Sequence, residues 1–484
     1  MPFADLREWI SALEKAGELQ RVSTEVDWRL EVGAIVRRVC ETNGPAVLFE
    51  KLKDYPKGFR ILGAPMARSR NHPHARLAIA LGFPPDTGVR ELTESYLARR
   101  KNSIPPRVID FPGPCQENIL TGDAVDLLKF PVPLIHGGDG GRYIGTWHTI
   151  ITRHPEKPWV NYGMYRLMVH DKKRMGAFLG PIQDIRRHLA AYQRLGRQME
   201  FAVAIGAEPV TAALSCVSLQ GERSEVDVIG GLRREPLELV RCKTVDLEVP
   251  ATAEIVIEGF VNPDESEDEG PFGEYTGYVA GGRQPRPVFN VTAVTHRNDP
   301  ILTMTSIGIP VDEDHVVMPI ANAAEVLEEL RDHKGYPVNF VHILPESANH
   351  FWAVSTKVPD NTYARRLAMA IWGTKAGRYA NYLLLVNEDV DITDLKSVVW
   401  AMATRVHPVR DVWQVPHGYT SVLIPFLSAE ERKSGDGAYM LLDGTWPADL
   451  PASEIPKVSS FARLWPEEIQ SRVLARWNEY GFKA

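Results

Sequence analysis

The chain has 484 residues, 44% of them hydrophobic and 24% charged, with a formal net charge of -7. That length exceeds what one core ordinarily spans, so two or three domains of about 100–200 residues are expected. The acidic balance excludes a general nucleic-acid binder, and no run approaches the ~20 apolar residues needed to span a bilayer. Cys40, Cys115, Cys216 and Cys242 lie far apart with no CxxC, which fits reduced thiols and a cytoplasmic location rather than a disulfide framework. The first nine residues read as a helix start, not a signal peptide.

In chain order, Asp5 is placed to cap a helix whose Leu6, Trp9, Ile10 and Leu13 form one apolar stripe, with Gly17 as its stop. Helical patches around Val32 to Val39 and Leu92 to Leu97, with an apolar run Ala46 to Phe49, suggest a small α/β domain over residues 1–115. Pro105, Pro106, Pro112 and Pro114 mark its exit. Residues 116–318 read as short strands punctuated by Gly and Pro, with little helix outside Asp184 to Leu195. Thr146 to Thr152, Phe201 to Ile205, Leu237 to Cys242, Ala253 to Phe260, Val288 to Val294 and Ile301 to Ser306 are the candidate barrel strands. After Pro319 the pattern alternates again through Ala323 to Asp332, Val338 to Leu344, Phe351 to Thr356, Tyr363 to Trp372, Tyr382 to Val386 and Leu395 to Thr404. Residues 319–484 are thus expected to form a second α/β domain. It ends in a helix opened by Pro466, whose Ile469, Val473, Trp477 and Tyr480 need cover, from a partner subunit if not from the chain itself.

Several residues could carry chemistry. Glu269-Gly-Pro-Phe-Gly-Glu274 sets two carboxylates about a stiffened turn, in which Gly270 and Gly273 permit positive φ and Pro271 fixes one φ. Its plain alternative is a solvated turn continuing the acidic run Asp264 to Asp268. Asn161 and Arg166 lie five apart in a strand-like run, on opposite faces by parity unless Gly163 breaks the strand. Arg166 could grip a carboxylate or serve as a structural ion pair. Asp184 and His188 share a helix face at i and i+4, which suits either a divalent metal or an ordinary capped helix start. Glu225 alone reads as a strand-entry acid, and Lys375 could bind phosphate or neutralise helix C-terminal carbonyls. His136-Gly-Gly-Asp-Gly-Gly141 lacks both the GxGxxG fingerprint and the Walker lysine, so a flexible hairpin is expected there.

Taken in order, several segments resemble the UbiD-type reversible decarboxylases that use prenylated FMN. They are Asp5-Leu-Arg-Glu-Trp-Ile10, Asn161 with Arg166, Ser224-Glu225, the Cys242 to Gly259 run, Glu269 to Glu274, Lys375-Ala-Gly377 and Trp400 to Arg405. The resemblance implies an N-terminal α/β domain, a central split β-barrel of the flavin reductase-like kind holding the cofactor, and a C-terminal α/β domain that helps form homodimers or homohexamers. It implies catalytic roles for Arg166, Glu269 and Glu274, with Glu274 as proton donor in a dry setting. It also implies cofactor contacts at Asn161, Met164, Tyr165, Arg166, Gln183, Ser215, Cys216, Val217, Glu225 and Lys375. Mn2+ and K+ would bridge cofactor phosphate to protein, with Asn161, Asp184 and Glu225 as metal ligands. Asp184 departs from the histidine found there in many relatives, so Gln183 or His188 stays open as a replacement ligand. A small carboxylic acid and CO2 are the implied substrates, and a prenyl-flavin synthase the implied cofactor supplier. The alternative reading is a noncatalytic flavin-binding or assembly protein of the same fold.

Overall fold

The architecture is that of a computed structural model describing residues 3–217, 219–279 and 281–483. Asp5 accepts a hydrogen bond from the Glu8 N–H at 2.8 Å and starts the helix Leu6–Lys15, whose Leu6, Trp9, Ile10 and Leu13 are all buried. Behind it lies a four-stranded sheet in the order Leu19–Val22, Ala46–Phe49, Arg60–Gly63 and Ile301–Met304. The last of these strands was expected in the barrel. It runs parallel to Arg60–Gly63, and all four of its residues are buried. A short apolar run without alternation reports burial, not which sheet it joins. The connection is tied down by Arg60, which donates to the Asp299 carbonyl at 2.6 Å, and by Arg7, which donates to the Asn298 carbonyl at 2.8 Å.

The central domain is a nine-stranded antiparallel sheet curled into a split barrel. Its order is Arg142–Gly145, Leu167–Val169, Arg174–Ala177, Gln284–His296, Ile255–Glu269, Met199–Ile205, His148–Arg153 and Val160–Gly163, with Asn118–Thr121 added against Gln284–His296. Register shifts at Glu258/Gly259 and between Val261 and Ser266 bend the long strand Ile255–Glu269 around the core. Glu238–Arg241, also expected in the barrel, instead sits between Glu248–Pro250 and Arg107–Val108 in a separate three-stranded sheet. Two helices were not anticipated, Pro209–Ser215 and Glu225–Arg233. Every residue of the first, and all but one of the second, is buried, so neither shows the one-sided apolar stripe that marks a surface helix.

In the C-terminal domain, the helix Glu313–Leu327 begins ten residues earlier than expected and carries Pro319 inside it. A proline reads as a helix breaker, but here almost the whole helix is buried and packing overrides local preference. The five-stranded sheet runs Val338–Ile343, Phe351–Thr356, Tyr382–Val386, Asp436–Gly444 and Val412–Tyr419. The final helix is shorter than predicted, Glu467–Ala475; its Ile469 and Val473 are half-buried, whereas Trp477 and Tyr480, just past its end, are 37% and 45% exposed. Among the described residues no helix is long and apolar enough to cross a membrane.

Candidate active site

Strand Val160–Gly163 stops at Gly163, where a Cβ would lie 2.2 Å from the Tyr165 hydroxyl oxygen. Residues 164–166 then leave the sheet: the Met164 N–H donates to the Ser215 carbonyl at 2.7 Å, and the Tyr165 carbonyl lies 3.1 Å from His148 Nε2. This break undoes the strand parity, so Asn161 and Arg166 line one cavity of about 230 Å3. Arg166 is the centre of its charged wall. Nε and Nη2 donate to the two oxygens of Glu269 at 2.9 and 2.8 Å, and Nη1 contacts Glu274. Glu274 lines the cavity, whereas Glu269 sits behind the guanidinium with its side chain wholly buried. Tyr143 donates its hydroxyl to Glu269 at 2.8 Å, which leaves Glu269 a fixed hydrogen-bonding shell.

The acid turn is braced by the glycine-rich loop, which is no loose hairpin. The Gly140 N–H donates to the Pro271 carbonyl at 2.8 Å, and a Cβ on Gly140 would lie 1.9 Å from the Gly270 carbonyl oxygen. Asp139 accepts from the Gly273 N–H at 3.2 Å and from the His136 N–H at 2.9 Å. Gly270 takes the expected positive φ of 86°, but Gly273 does not. Gly273 is small for another reason: the His136 ring would sit 2.9 Å from its Cβ.

A second group of expected residues lines the other part of the same cavity: Met164, Tyr165, Gln183, Asp184, Ser215, Cys216, Val217, Glu225 and Lys375. Glu225 is the first residue of a helix, not a strand-entry acid, and accepts from the Tyr162 N–H at 2.8 Å. Burial pushes its carboxyl up to about 8. Asp184 contacts Lys375 Nζ through one oxygen, while its other oxygen is buried with no hydrogen-bond partner among the described residues. Lys375 is thus occupied by an acid rather than by helix carbonyls. The amide of Asn161 with the carboxylates of Asp184 and Glu225 makes an oxygen-donor set that suits a hard divalent cation, although Arg187 Nη1 already lies 3.5 Å from the second Asp184 oxygen. No three His, Cys, Asp or Glu side chains among the described residues gather closely enough to hold a metal by themselves.

His188 does not serve. Its ring is fully buried away from the cavity, 3.0 Å from the Thr152 hydroxyl and edge-on to Trp159, and burial drives it down to about 3. Gln183 faces the cavity but spends its side-chain oxygen on the Gly180 N–H at 2.6 Å. Sequence reasoning missed the contribution of the C-terminal domain: Asp314, Asn322, Asn349, His350 and Tyr379 also line the cavity. No motif marks them, because they converge only through packing of the domains.

Residues 10–96, 107–310 and 315–444 match the N-terminal, Rift-related and C-terminal domains of UbiD, 3-octaprenyl-4-hydroxybenzoate carboxy-lyase. The chain is 36% identical over 489 residues to the pyrrole-2-carboxylic acid decarboxylase of Pseudomonas aeruginosa, covering 99% of this chain and 98% of that protein. It is 31% identical to ferulic acid decarboxylase 1 of Saccharomyces cerevisiae, over 100% and 99% of the two chains. The closed form of Sedimentibacter hydroxybenzoicus vanillic acid decarboxylase superposes with a TM-score of 0.88 at 27% identity, covering 100% of each chain. The UbiD-class enzyme HmfF of Pelotomaculum thermopropionicum, in complex with FMN, does so at 0.81 with 32% identity, covering 94% and 97%. Fold, site and relatives define a carboxy-lyase. The chain belongs to the UbiD family.

Proposed function

We propose that the protein decarboxylates an aromatic, heteroaromatic or α,β-unsaturated carboxylic acid, reversibly and without net oxidation, with prenylated FMN as cofactor. The observation that carries this reading is the single guanidinium of Arg166, held by Glu269 through Nε and Nη2, with its Nη1 contact to Glu274 made at the cavity. HmfF is known in complex with FMN and, in an evolved dimeric form, with prFMN, which supports the cofactor. When bound, the prenylated flavin supplies the covalent electron sink that loss of CO2 from an sp2 carbon requires.

The chain's own residues do the rest. Arg166 orients the substrate carboxylate through its planar fork, and Glu269 with Tyr143 keeps that fork from turning. A substrate carboxylate arriving at Arg166 competes with Glu274 for Nη1, and a Glu274 released from the cation can take a proton from solvent. After the C–C bond breaks and CO2 departs, Glu274 delivers that proton to the carbon that bore the carboxylate. Apolar side chains, Phe178, Phe272 and Ile307 among them, limit water at that point. Lys375 and the backbone at Ser215 to Val217 would hold the cofactor phosphate and a K+ ion, and Asn161, Asp184 and Glu225 would hold Mn2+. The exposed Trp477 and Tyr480 just past the last helix support association of copies as a homodimer or homohexamer, and a prenyl-flavin synthase would supply the cofactor.

The test is protein coexpressed with a prenyl-flavin synthase and offered a panel of carboxylic acids. Release of CO2, or exchange of labelled bicarbonate into the acid, is expected. Glu274→Gln should cut free product by at least a hundredfold while retaining bound flavin. Flavin uptake with neither release nor exchange across the panel would favour a noncatalytic flavin-binding protein instead.

A further inference from the structure

The C-terminal domain contributes to the cavity the first turns of helix Glu313–Leu327 and the turn at residues 348–350. That helix opens with three consecutive acids, and two of them are spoken for. Asp312 pairs with His315 at 2.7 Å and Arg37 at 3.3 Å and accepts from the Gly308 N–H at 3.0 Å, while Glu313 accepts from Thr305. Asp314 is different. It lines the cavity, yet among the described residues its carboxyl has no hydrogen-bond or ion-pair partner. Burial and the neighbouring Asp312 push it up to about 7.

The backbone around Asp314 is held with care. Ala348 and Asn349 both take left-handed φ values, 52° and 66°, at residues that have a Cβ. From that strained turn Asn349 donates Nδ2 to the Asp314 carbonyl at 3.2 Å. Strain of this kind persists where surrounding contacts enforce it, and it concentrates at ligand-contacting positions. The Oδ1 atoms of Asn322 and Asn349 on this wall also lack a partner among the described residues, but Asp314 alone carries a carboxyl there, with Met318 one helical turn beyond it. An otherwise apolar cavity with a few convergent polar groups is how a site fixes the orientation of a flat ring.

Resting on the decarboxylase reading, we propose that Asp314 is a specificity-determining residue that accepts a hydrogen bond from the substrate ring, so the preferred acids carry a ring N–H or a phenolic O–H. Asp314 is half-buried and open to the cavity, so a ring that covers it without donating leaves an unpaired acceptor, which is costly, whereas a ring donor satisfies it. With the carboxyl ionised, as it is at pH 8.5, a furan oxygen or thiophene sulfur in the same place would face it lone pair to lone pair, and a bare benzene edge would leave it unpaired. Sites built to bond a substrate N–H or O–H reject analogues lacking it far more strongly than apolar pockets reject a change of size.

The test uses the flavin-loaded protein at pH 8.5, where the carboxyl is ionised, and two matched pairs of acids, pyrrole-2-carboxylate against furan-2-carboxylate and 4-hydroxybenzoate against benzoate, with affinities measured by titration calorimetry. At least one pair should show the donor-bearing ring bound tenfold or more tightly, and which pair does so separates N–H from O–H recognition. Asp314→Ala should bring that ratio below twofold, and Asp314→Asn, matched in shape, should lower it at least threefold; retained flavin absorbance reports an intact cavity. Equal affinities within both pairs, no binding of any of the four, or a ratio unchanged in whichever variant folds would overturn the proposal. CO2 release is scored separately. Release without discrimination sinks the role of Asp314 alone, whereas discrimination without release sinks the decarboxylase reading and leaves the ring-donor contact standing.

Discussion

Replacing Arg166 by Met keeps the side-chain length but strips the charge from between two acids. The Arg166 and Glu269 side chains are 10% and 0% exposed, and two N–H···O bonds of 2.8–2.9 Å join them. Charge-assisted bonds contribute roughly 1.5–3 kcal/mol each, so the pair is worth about 3–6 kcal/mol. Breaking one partner of a buried ion pair costs about 3–5 kcal/mol because the other is left buried and uncompensated, which agrees. Arg166→Met strands both Glu269 and Glu274, whereas Glu269→Met strands only Arg166, which can still turn toward Glu274. The arginine variant should therefore be the less stable of the two single variants. Removing both partners leaves only the cavity-facing Glu274 without its cation, so the double variant should lie near Glu269→Met and not near the sum, with a coupling about as large as the Arg166→Met cost, roughly 3–5 kcal/mol. Equilibrium urea unfolding of the flavin-free proteins at pH 7 measures all three. Additivity within about 0.5 kcal/mol would show that the network stores no cooperative stability and would refute the reasoning.

Gly140→Ala puts a Cβ where the Gly270 carbonyl oxygen already lies, so the acid turn must move; activity should fall at least a hundredfold with the unfolding midpoint little changed, since about 1 Å of misplacement is enough for such a loss. Tyr143→Phe removes one bond to Glu269 and should cost about 1–2 kcal/mol in urea while leaving flavin retention intact. Burial holds His148 and His188 down to about 3 and His342 and His350 down to about 4. Below pH 6.5 the unfolded chain takes up these protons and the folded one does not, so stability falls as pH drops from about 6.5 toward 4, by up to about 1.4 kcal/mol per pH unit for each histidine. His188→Gln should flatten that slope by one proton's worth; an unchanged slope in urea midpoints between pH 7.5 and 5 would count against it. Asp184→Ala should lower co-purified manganese, measured by elemental analysis, without loss of the Arg166 contacts across the cavity.

Local pattern carried some elements well. The stripe of Leu6, Trp9, Ile10 and Leu13 and the cap at Asp5 are legible because a surface helix must show its period. Gly163 and the proline turn, two places where backbone chemistry is written in residue type, point to the strand break after Asn161 and to two acids on one side, whereas the meeting of Arg166 with both acids is implied by the family resemblance. What escaped has a common cause. The buried helices at Pro209–Ser215 and Glu225–Arg233 have no polar face, and Pro319 is tolerated because the helix around it is packed on all sides. His188 has metal-ligand spacing from Asp184, yet its ring turns into the core against Trp159, a choice no spacing encodes. Asp314 is invisible in sequence because its isolation depends on which neighbours its two fellow acids find.

The strand Ile301–Met304 lies almost two hundred and forty residues downstream of its sheet partner Arg60–Gly63. During synthesis the N-terminal sheet emerges from the ribosome with that edge open, and it stays open until the whole barrel has been made. An unpaired apolar edge invites association with other chains. Fragments cut anywhere between the first domain and residue 300 should therefore precipitate, even though each spans a unit that looks self-sufficient.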